Sequence, residues 1–141
     1  MSTLDKAVAI AVDAHTGQVD KYGQPYILHP VRVMSRVESP DEKIVAILHD
    51  VVEDSDRTLE DLRKEGFADD IINAIGLLTK GADEAYTDYV SRLAHNRLAR
   101  RVKLADLEDN MDLRRISAFT DSDSKRLQRY HWAWQFLREV K

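Results

Sequence analysis

One segment of the chain places four ionisable side chains directly after an apolar run. The apolar residues are Ile44–Leu48, and His49, Asp50, Glu53 and Asp54 follow them. In a helix, residues four apart lie on the same face, so His49 aligns with Glu53, and Asp50 aligns with Asp54. Buried charges are costly unless they are paired or bind a metal, and neighbouring carboxylates repel one another. A divalent cation would resolve both problems; the alternative is that this stripe is the solvated face of the helix.

A second helical pattern, predicted over residues 97–116, combines charge with apolar neighbours in the same way. Lys103, Asp106 and Asn110 share one face of this helix. Asp106 could therefore supply a further oxygen ligand. A solvent-facing charged stripe would give the same pattern, so the spacing alone leaves both readings open.

Two histidines upstream have different expected roles. His29 precedes Pro30 at a predicted loop-to-helix junction, where a rigid backbone could hold a ligand. A lone histidine at such a place is also typical of a surface or packed residue. His15 ends the apolar stripe of the first predicted helix, and we expect it to be a core histidine that donates a hydrogen bond.

Composition limits the kind of metal site and the kind of protein. There is no cysteine, so any metal must be held by His, Asp or Glu. The 141 residues suit a single domain over residues 1–141, and the net charge of −4 argues against nonspecific nucleic-acid binding. No segment approaches the ~18 apolar residues of a membrane span, and Asp5 and Lys6 interrupt the run that a signal peptide needs. A cytoplasmic protein is therefore expected.

Hydrophobic periodicity predicts helices almost throughout the chain. They cover residues 4–15, a short segment after Pro30, 40–53, a segment that begins at Thr58, 68–79, 86–94, 97–116 and 124–140. Possible capping boxes are formed by Ser2 with Asp5, Ser39 with Glu42, and Thr58 with Asp61. The pattern predicts an all-α bundle of seven or eight helices, without a sheet.

Three motifs occur in a fixed order between residues 14 and 114, which is most of the chain. They are Ala14–Gln18 followed by Pro25–Pro30, then Ile47–Asp54, then Val102–Asp106 with Asn110. Together they resemble the hydrolase domain of the RelA/SpoT-type alarmone enzymes, a branch of the HD-domain metal-dependent phosphohydrolases. The resemblance implies the HD-domain fold.

The resemblance also implies roles for individual residues. Four positions match the family's metal ligands: His29, His49, Asp50 and Asp106. One divalent ion is implied, typically Mn²⁺, although mixed imidazole and carboxylate ligands also suit Fe or Zn. Glu53 and Asp54 match the pair that orients or activates the attacking water. Lys21 and Asn110 match positions that contact the substrate.

The activity implied by the family is hydrolysis of the alarmones guanosine tetra- and pentaphosphate, (p)ppGpp. Water removes the 3′-pyrophosphate and leaves GDP or GTP. At this length the chain is expected to hold no synthetase domain as well. A nucleotide is the expected partner, with no nucleic acid or membrane, and the oligomeric state stays open.

Two positions depart from the family pattern and keep alternatives open. Asp20 and Asp112 stand where relatives usually carry arginine, so we expect negative charge near the phosphate pocket and weaker alarmone binding. The first alternative is an HD-type phosphatase of a nucleoside monophosphate or of the 2′-phosphate of NADPH. The second is a non-catalytic module that binds a nucleotide or a protein, against which the complete set of ligands with Glu53 and Asp54 argues.

Overall fold

A computed structural model describes residues 3–141, and in this range the chain forms nine α-helical segments and one 3₁₀ turn. The helices are α1 (Leu4–Ala14), α2 (Leu28–Ser35), α3 (Pro40–Leu48), α4 (Val51–Asp54), α5 (Leu59–Lys64), α6 (Asp69–Leu78), α7 (Tyr86–Leu93), α8 (Arg97–Asn110) and α9 (Asp121–Arg138). Extended pairing in the described part is limited to an isolated bridge between Val19 and Pro25. The prediction of an all-α bundle is confirmed. The described residues form more helical segments than the seven or eight predicted, because α3 and α4 correspond to one predicted helix.

The centre of the molecule is α3. Its residues Val45 to Leu48 are completely buried, because α1, α2, α6 and α8 all pack against this helix. A helix that is apolar on every side can only be stable inside the core. The C-terminal end of α3 therefore delivers the residues that follow it to the interior. On the far side, α9 packs on α8 and α7. Within residues 3–141, no helix has both the length and the apolar character that crossing a membrane requires.

The helix predicted over residues 40–53 is interrupted after Leu48, which corrects the sequence-based prediction. In a continuous α-helix the carbonyl of Ala46 would accept from the backbone N–H of Asp50. Here Nδ1 of His49 lies 2.5 Å from that carbonyl oxygen. A side chain that takes a backbone acceptor competes with the helix, and α4 begins only at Val51.

The other helix ends follow local capping. Ser39 with Glu42 and Thr58 with Asp61 form the predicted capping boxes. The box predicted for Ser2 lies outside the described residues, and the side chain of Thr3 caps α1. Two further bounds differ from prediction. Helix α8 ends at Asn110, where the side chain of Asp112 caps the 3₁₀ turn Leu113–Arg115. Helix α9 begins at Asp121 because Thr120 and Asp123 form a capping box.

We expect Ser39→Ala to lower the free energy of unfolding by about 1 kcal/mol, since it removes an acceptor for an otherwise unpaired N–H at the start of α3. Urea denaturation would measure the change. Ser91→Ala is the matched control, because the Ser91 hydroxyl only donates to the Thr87 carbonyl inside α7. A loss of equal size in both variants would contradict the capping account.

Candidate metal centre

Four side chains from three parts of the chain meet at one buried point. His29 comes from the first turn of α2, His49 and Asp50 from the turn between α3 and α4, and Asp106 from α8. Nε2 of His29 lies 2.8 Å from Asp106 Oδ1 and 3.8 Å from Asp50 Oδ2. Nε2 of His49 lies 3.3 Å and 3.1 Å from the same two oxygens. The structure thus brings together all four positions that match the family's ligands.

The geometry of this cluster fits a single cation. Bonds of ~2.0–2.2 Å to nitrogen and oxygen place neighbouring donor atoms roughly 3 Å apart, and the separations above are of that size. Donor atoms of His29, His49 and Asp50 all lie within 4.8 Å of one another. Nε2 of His49 is buried and makes no hydrogen bond, which is costly for a polar atom unless something else binds it. The donor set and this unpartnered nitrogen both suit a divalent ion.

The two histidines are held through their outer nitrogens. Nδ1 of His49 shares a hydrogen bond with the Ala46 carbonyl oxygen, and Nδ1 of His29 shares one of 2.7 Å with Asp109 Oδ2. A neutral imidazole has one N–H. When Nδ1 carries it, the lone pair of Nε2 faces the centre, as metal ligation requires.

The two carboxylates have partners of their own. The Tyr26 hydroxyl donates to Asp50 Oδ2 at 2.6 Å, and Lys103 Nζ donates to Asp106 Oδ2 at 2.8 Å. Burial favours a neutral Asp106, but the charge of Lys103 and the contacts with His29 and His49 together outweigh it and hold the pKa of Asp106 well below its usual range. Asp106, together with Tyr89 and Tyr86, likewise overcomes burial and raises the pKa of Lys103. Asp106 is therefore kept ionised inside the protein.

The negative charges of these carboxylates favour positive charge at the centre. Burial alone would lower the pKa of both histidines. The hydrogen bonds of His29 to Asp106 and Asp109 outweigh this effect and raise its pKa. For His49 the nearby negative charges of Asp50 and Asp106 contribute to the same result, and its pKa is raised well above its usual value. A cation that entered the centre would meet this attraction.

Glu53 and Asp54 follow in α4 and remain exposed at the edge of the centre. Partial burial and the nearby charge of Asp50 raise the pKa of both carboxyls. A carboxyl with a raised pKa exchanges protons closer to neutral pH, which suits an acid–base group. Their role in activating water stays a prediction.

A cavity of about 600 Å³ opens beside the centre and is lined by Glu53 and Asn110. Asn110 Nδ2 also lies 3.3 Å from Asp106 Oδ1. The lining also includes cationic and aromatic side chains outside the centre: Lys80, Arg129, Tyr86, Tyr89 and Tyr130. This volume lies in the range of small-ligand sites, which are typically about 300–1,000 Å³.

Three residues expected near the substrate are not among those that line this cavity: Asp20, Lys21 and Asp112. The carboxylate of Asp20 accepts from the backbone N–H groups of Tyr22 and Gln24 and so closes its own loop. Asp112 accepts from Arg114 as the cap of the 3₁₀ turn. The two aspartates therefore do not line the cavity itself, and their expected effect on alarmone binding stays a prediction. Lys21 is exposed, and its pKa is lowered by partial burial and by Arg126 of α9.

The sequence analysis missed two residues of the centre. Nothing in the pattern marked Tyr26, whose ring also lies 5.0 Å from that of His15. Asp109 was missed although it follows Asp106 by three residues, a spacing that places both on one helix face. His15 itself is buried, and its Nδ1 shares a hydrogen bond with Gln18 Oε1, in agreement with the expected core role.

Comparisons with known proteins find sequence similarity to alarmone enzymes. No protein-family model matches the sequence. It is 29% identical over 143 residues to the guanosine-3′,5′-bis(diphosphate) 3′-pyrophosphohydrolase of Vibrio cholerae, with 92% of this chain and 20% of the relative covered. It is 32% identical over 142 residues to the enzyme of the same name from Aquifex aeolicus, with 98% and 19% covered. The chain thus spans about a fifth of the length of these relatives.

A solved structure shares the fold of this chain. The structure is described as a metazoan ortholog of SpoT that hydrolyzes ppGpp and plays a role in starvation responses. It matches with a TM-score of 0.78 over 100% of this chain and 88% of that chain, at 22% identity. At this identity the match establishes the fold alone. The chain is similar in sequence to the SpoT/RelA-type (p)ppGpp 3′-pyrophosphohydrolases and shares the fold of a SpoT ortholog, which confirms the resemblance predicted from its three motifs.

Proposed function

We propose that this chain is a metal-dependent phosphohydrolase that removes the 3′-pyrophosphate of (p)ppGpp. The observation that carries the proposal is the convergence of two imidazole nitrogens and two carboxylates at a buried point beside a cavity of nucleotide size. The printed names of the relatives support the choice of substrate. A nucleotide substrate is also consistent with the expected cytoplasmic location of the protein.

Four residues would hold the ion: His29, His49, Asp50 and Asp106. Mn²⁺ is our first candidate, and Fe or Zn would also suit this mixed set of ligands. When bound, such an ion lowers the pKa of water and screens the charge of phosphate oxygens.

The residues of the cavity would divide the remaining work. Glu53 and Asp54 would orient the attacking water and accept its proton, since both lie one turn beyond Asp50 and have raised pKa values. Water would add to the phosphorus that carries the 3′ ester while the bond from phosphorus to the 3′ oxygen breaks. ppGpp would then yield GDP and pyrophosphate. Asn110 and Lys21 would contact the substrate, Asn110 from inside the cavity.

The alternative of a smaller nucleotide depends on Asp20 and Asp112 acting at the phosphate pocket. Neither residue lines the cavity, and each carboxylate accepts hydrogen bonds within its own turn. The charged side chains that line the cavity include Lys80 and Arg129, together with Glu84, which pairs with Arg92. Cationic side chains beside the centre favour a substrate that carries phosphates.

We expect the metal-free chain to release equal amounts of GDP and pyrophosphate from ppGpp only after Mn²⁺ is added. Ion-exchange chromatography of the products would measure this, with GTP, GMP and NADPH as competing substrates at the same concentration. Asp106→Ala is the matched inactive control. Release of phosphate from GMP or NADPH without cleavage of ppGpp would favour the smaller-nucleotide phosphatase. Metal binding without hydrolysis of any of them would favour the non-catalytic module.

A further inference from the structure

We propose that Asp109 is a positioning residue of the metal centre, because it fixes the ring of His29 so that Nε2 points at the ion. This inference rests on the proposed metal site. It goes further by assigning a function to a buried carboxylate that has no contact with the other three ligands among the described hydrogen bonds and ion pairs.

Two aspartates of α8 contact the ring of His29, one at each ring nitrogen. Asp109 Oδ2 lies 2.7 Å from Nδ1, while Asp106 Oδ1 lies 2.8 Å from Nε2. The two aspartates are three residues apart on one helix, so they lie on the same face and can meet opposite edges of one imidazole. With the Nδ1 proton donated to Asp109, a neutral ring presents the Nε2 lone pair to the centre.

The charge of Asp109 is balanced on its other side. Asp109 is completely buried, and a buried carboxylate is costly unless cations compensate it. Arg32 Nε donates to Oδ1 at 2.8 Å, and guanidinium nitrogens of Arg115 and Arg36 lie 3.6 Å and 3.8 Å from the same oxygen. The arginines therefore occupy Oδ1 and leave Oδ2 to His29. This division keeps an ionised acceptor available for the histidine.

A purely structural role would look different. Asp109 also links α8 to α2 through Arg32. In a purely structural role, its loss would act by weakening the packing of these two helices. Arg32→Met breaks that tie but leaves the contact between Asp109 and His29 in place. The pair of variants therefore separates positioning of the ring from simple cohesion of the helices.

The test uses the full metal-free chain and two measurements. Isothermal titration with Mn²⁺ should show a dissociation constant about 10–100-fold higher for Asp109→Ala, the usual effect of losing such a partner. Asp109→Asn should fall between this variant and the wild type, since its amide oxygen still accepts a hydrogen bond. Arg32→Met should change the constant by less than ~10-fold. In ¹⁵N–¹H spectra of the metal-free chain, the Nδ1–H signal of His29 should persist in Arg32→Met and disappear in Asp109→Ala.

Two outcomes would overturn the inference. One is wild-type Mn²⁺ affinity in Asp109→Ala, and the other is an equal loss of affinity in Arg32→Met. If Asp109→Ala does not fold, Asp109→Asn and Arg32→Met decide by the same comparison of affinities. A wild-type chain that binds no Mn²⁺, Fe²⁺ or Zn²⁺ would instead contradict the proposed function itself, so the two failures are distinguishable.

Discussion

Replacing Asp50 with alanine is expected to abolish both metal binding and hydrolysis of ppGpp. Oδ2 of Asp50 lies 3.1 Å from Nε2 of His49 and 3.8 Å from Nε2 of His29, so its removal opens one side of the ligand set. It also removes one of the two carboxylate charges that lie beside the Nε2 atoms of the histidines. Negative charge is a main reason why oxygen ligands attract a divalent ion. The Tyr26 hydroxyl would lose its acceptor as well, which typically costs about 1–3 kcal/mol.

Metal content after dialysis and the rate of pyrophosphate release would measure the effect of Asp50→Ala. Circular dichroism would show whether the helices survive, so that a loss of activity can be separated from unfolding. Asp41→Ala is the matched control, because Asp41 is an exposed carboxylate in the first turn of α3. Stoichiometric Mn²⁺ in Asp50→Ala would contradict the assignment of Asp50 as a ligand.

Replacing Glu53 with alanine should leave the metal bound and lower turnover by about 10²–10⁴-fold, the usual contribution of a positioned acid–base group. Glu53 lines the cavity but is not part of the buried cluster around the two Nε2 atoms. Burial and the charge of Asp50 raise its pKa, which makes the carboxylate a stronger base towards a nearby water. A residue in this position affects the reaction and not the occupancy of the centre.

The same two measurements, metal content and steady-state rate, decide the role of Glu53. The matched control is Glu60→Ala, since Glu60 is an exposed glutamate in α5 that pairs only with Arg63 among the described residues. We expect this control to keep the full rate and the full metal content. Equal loss of metal in Glu53→Ala and Asp50→Ala would mean that Glu53 is itself a ligand.

The sequence predicted those features that depend on neighbours along the chain. Ser39 and Glu42 cap α3 as expected, because a capping box involves residues only three positions apart. The interruption after α3 was missed, since it depends on how the ring of His49 is turned in the finished core. The box of Thr120 with Asp123 was equally local, yet the prediction began that helix later, at residue 124.

The centre shows the same division between local and distant information. The motifs pointed to each candidate ligand, but the partner that orients His29 lies 80 residues away in Asp109. Spacing within one helix cannot reveal which distant side chain meets it. Asp20 and Asp112 illustrate the converse. Their positions in the family pattern suggested a pocket, while short-range hydrogen bonds hold each within its own turn.

The candidate ligands come from α2, the end of α3 and α8, and this dispersal ties occupancy to folding. In an unfolded chain only His49 and Asp50 stay close together, while His29 and Asp106 lie far from them along the chain, so an ion would bind the folded form far more tightly. Binding of that kind stabilises the fold by linkage, about 4 kcal/mol when the free ion is at a thousand times its dissociation constant. It would also hold together the two long chain segments that connect the ligands, from His29 to His49 and from Asp50 to Asp106. The proposed ion would therefore also raise the fraction of the protein that is folded.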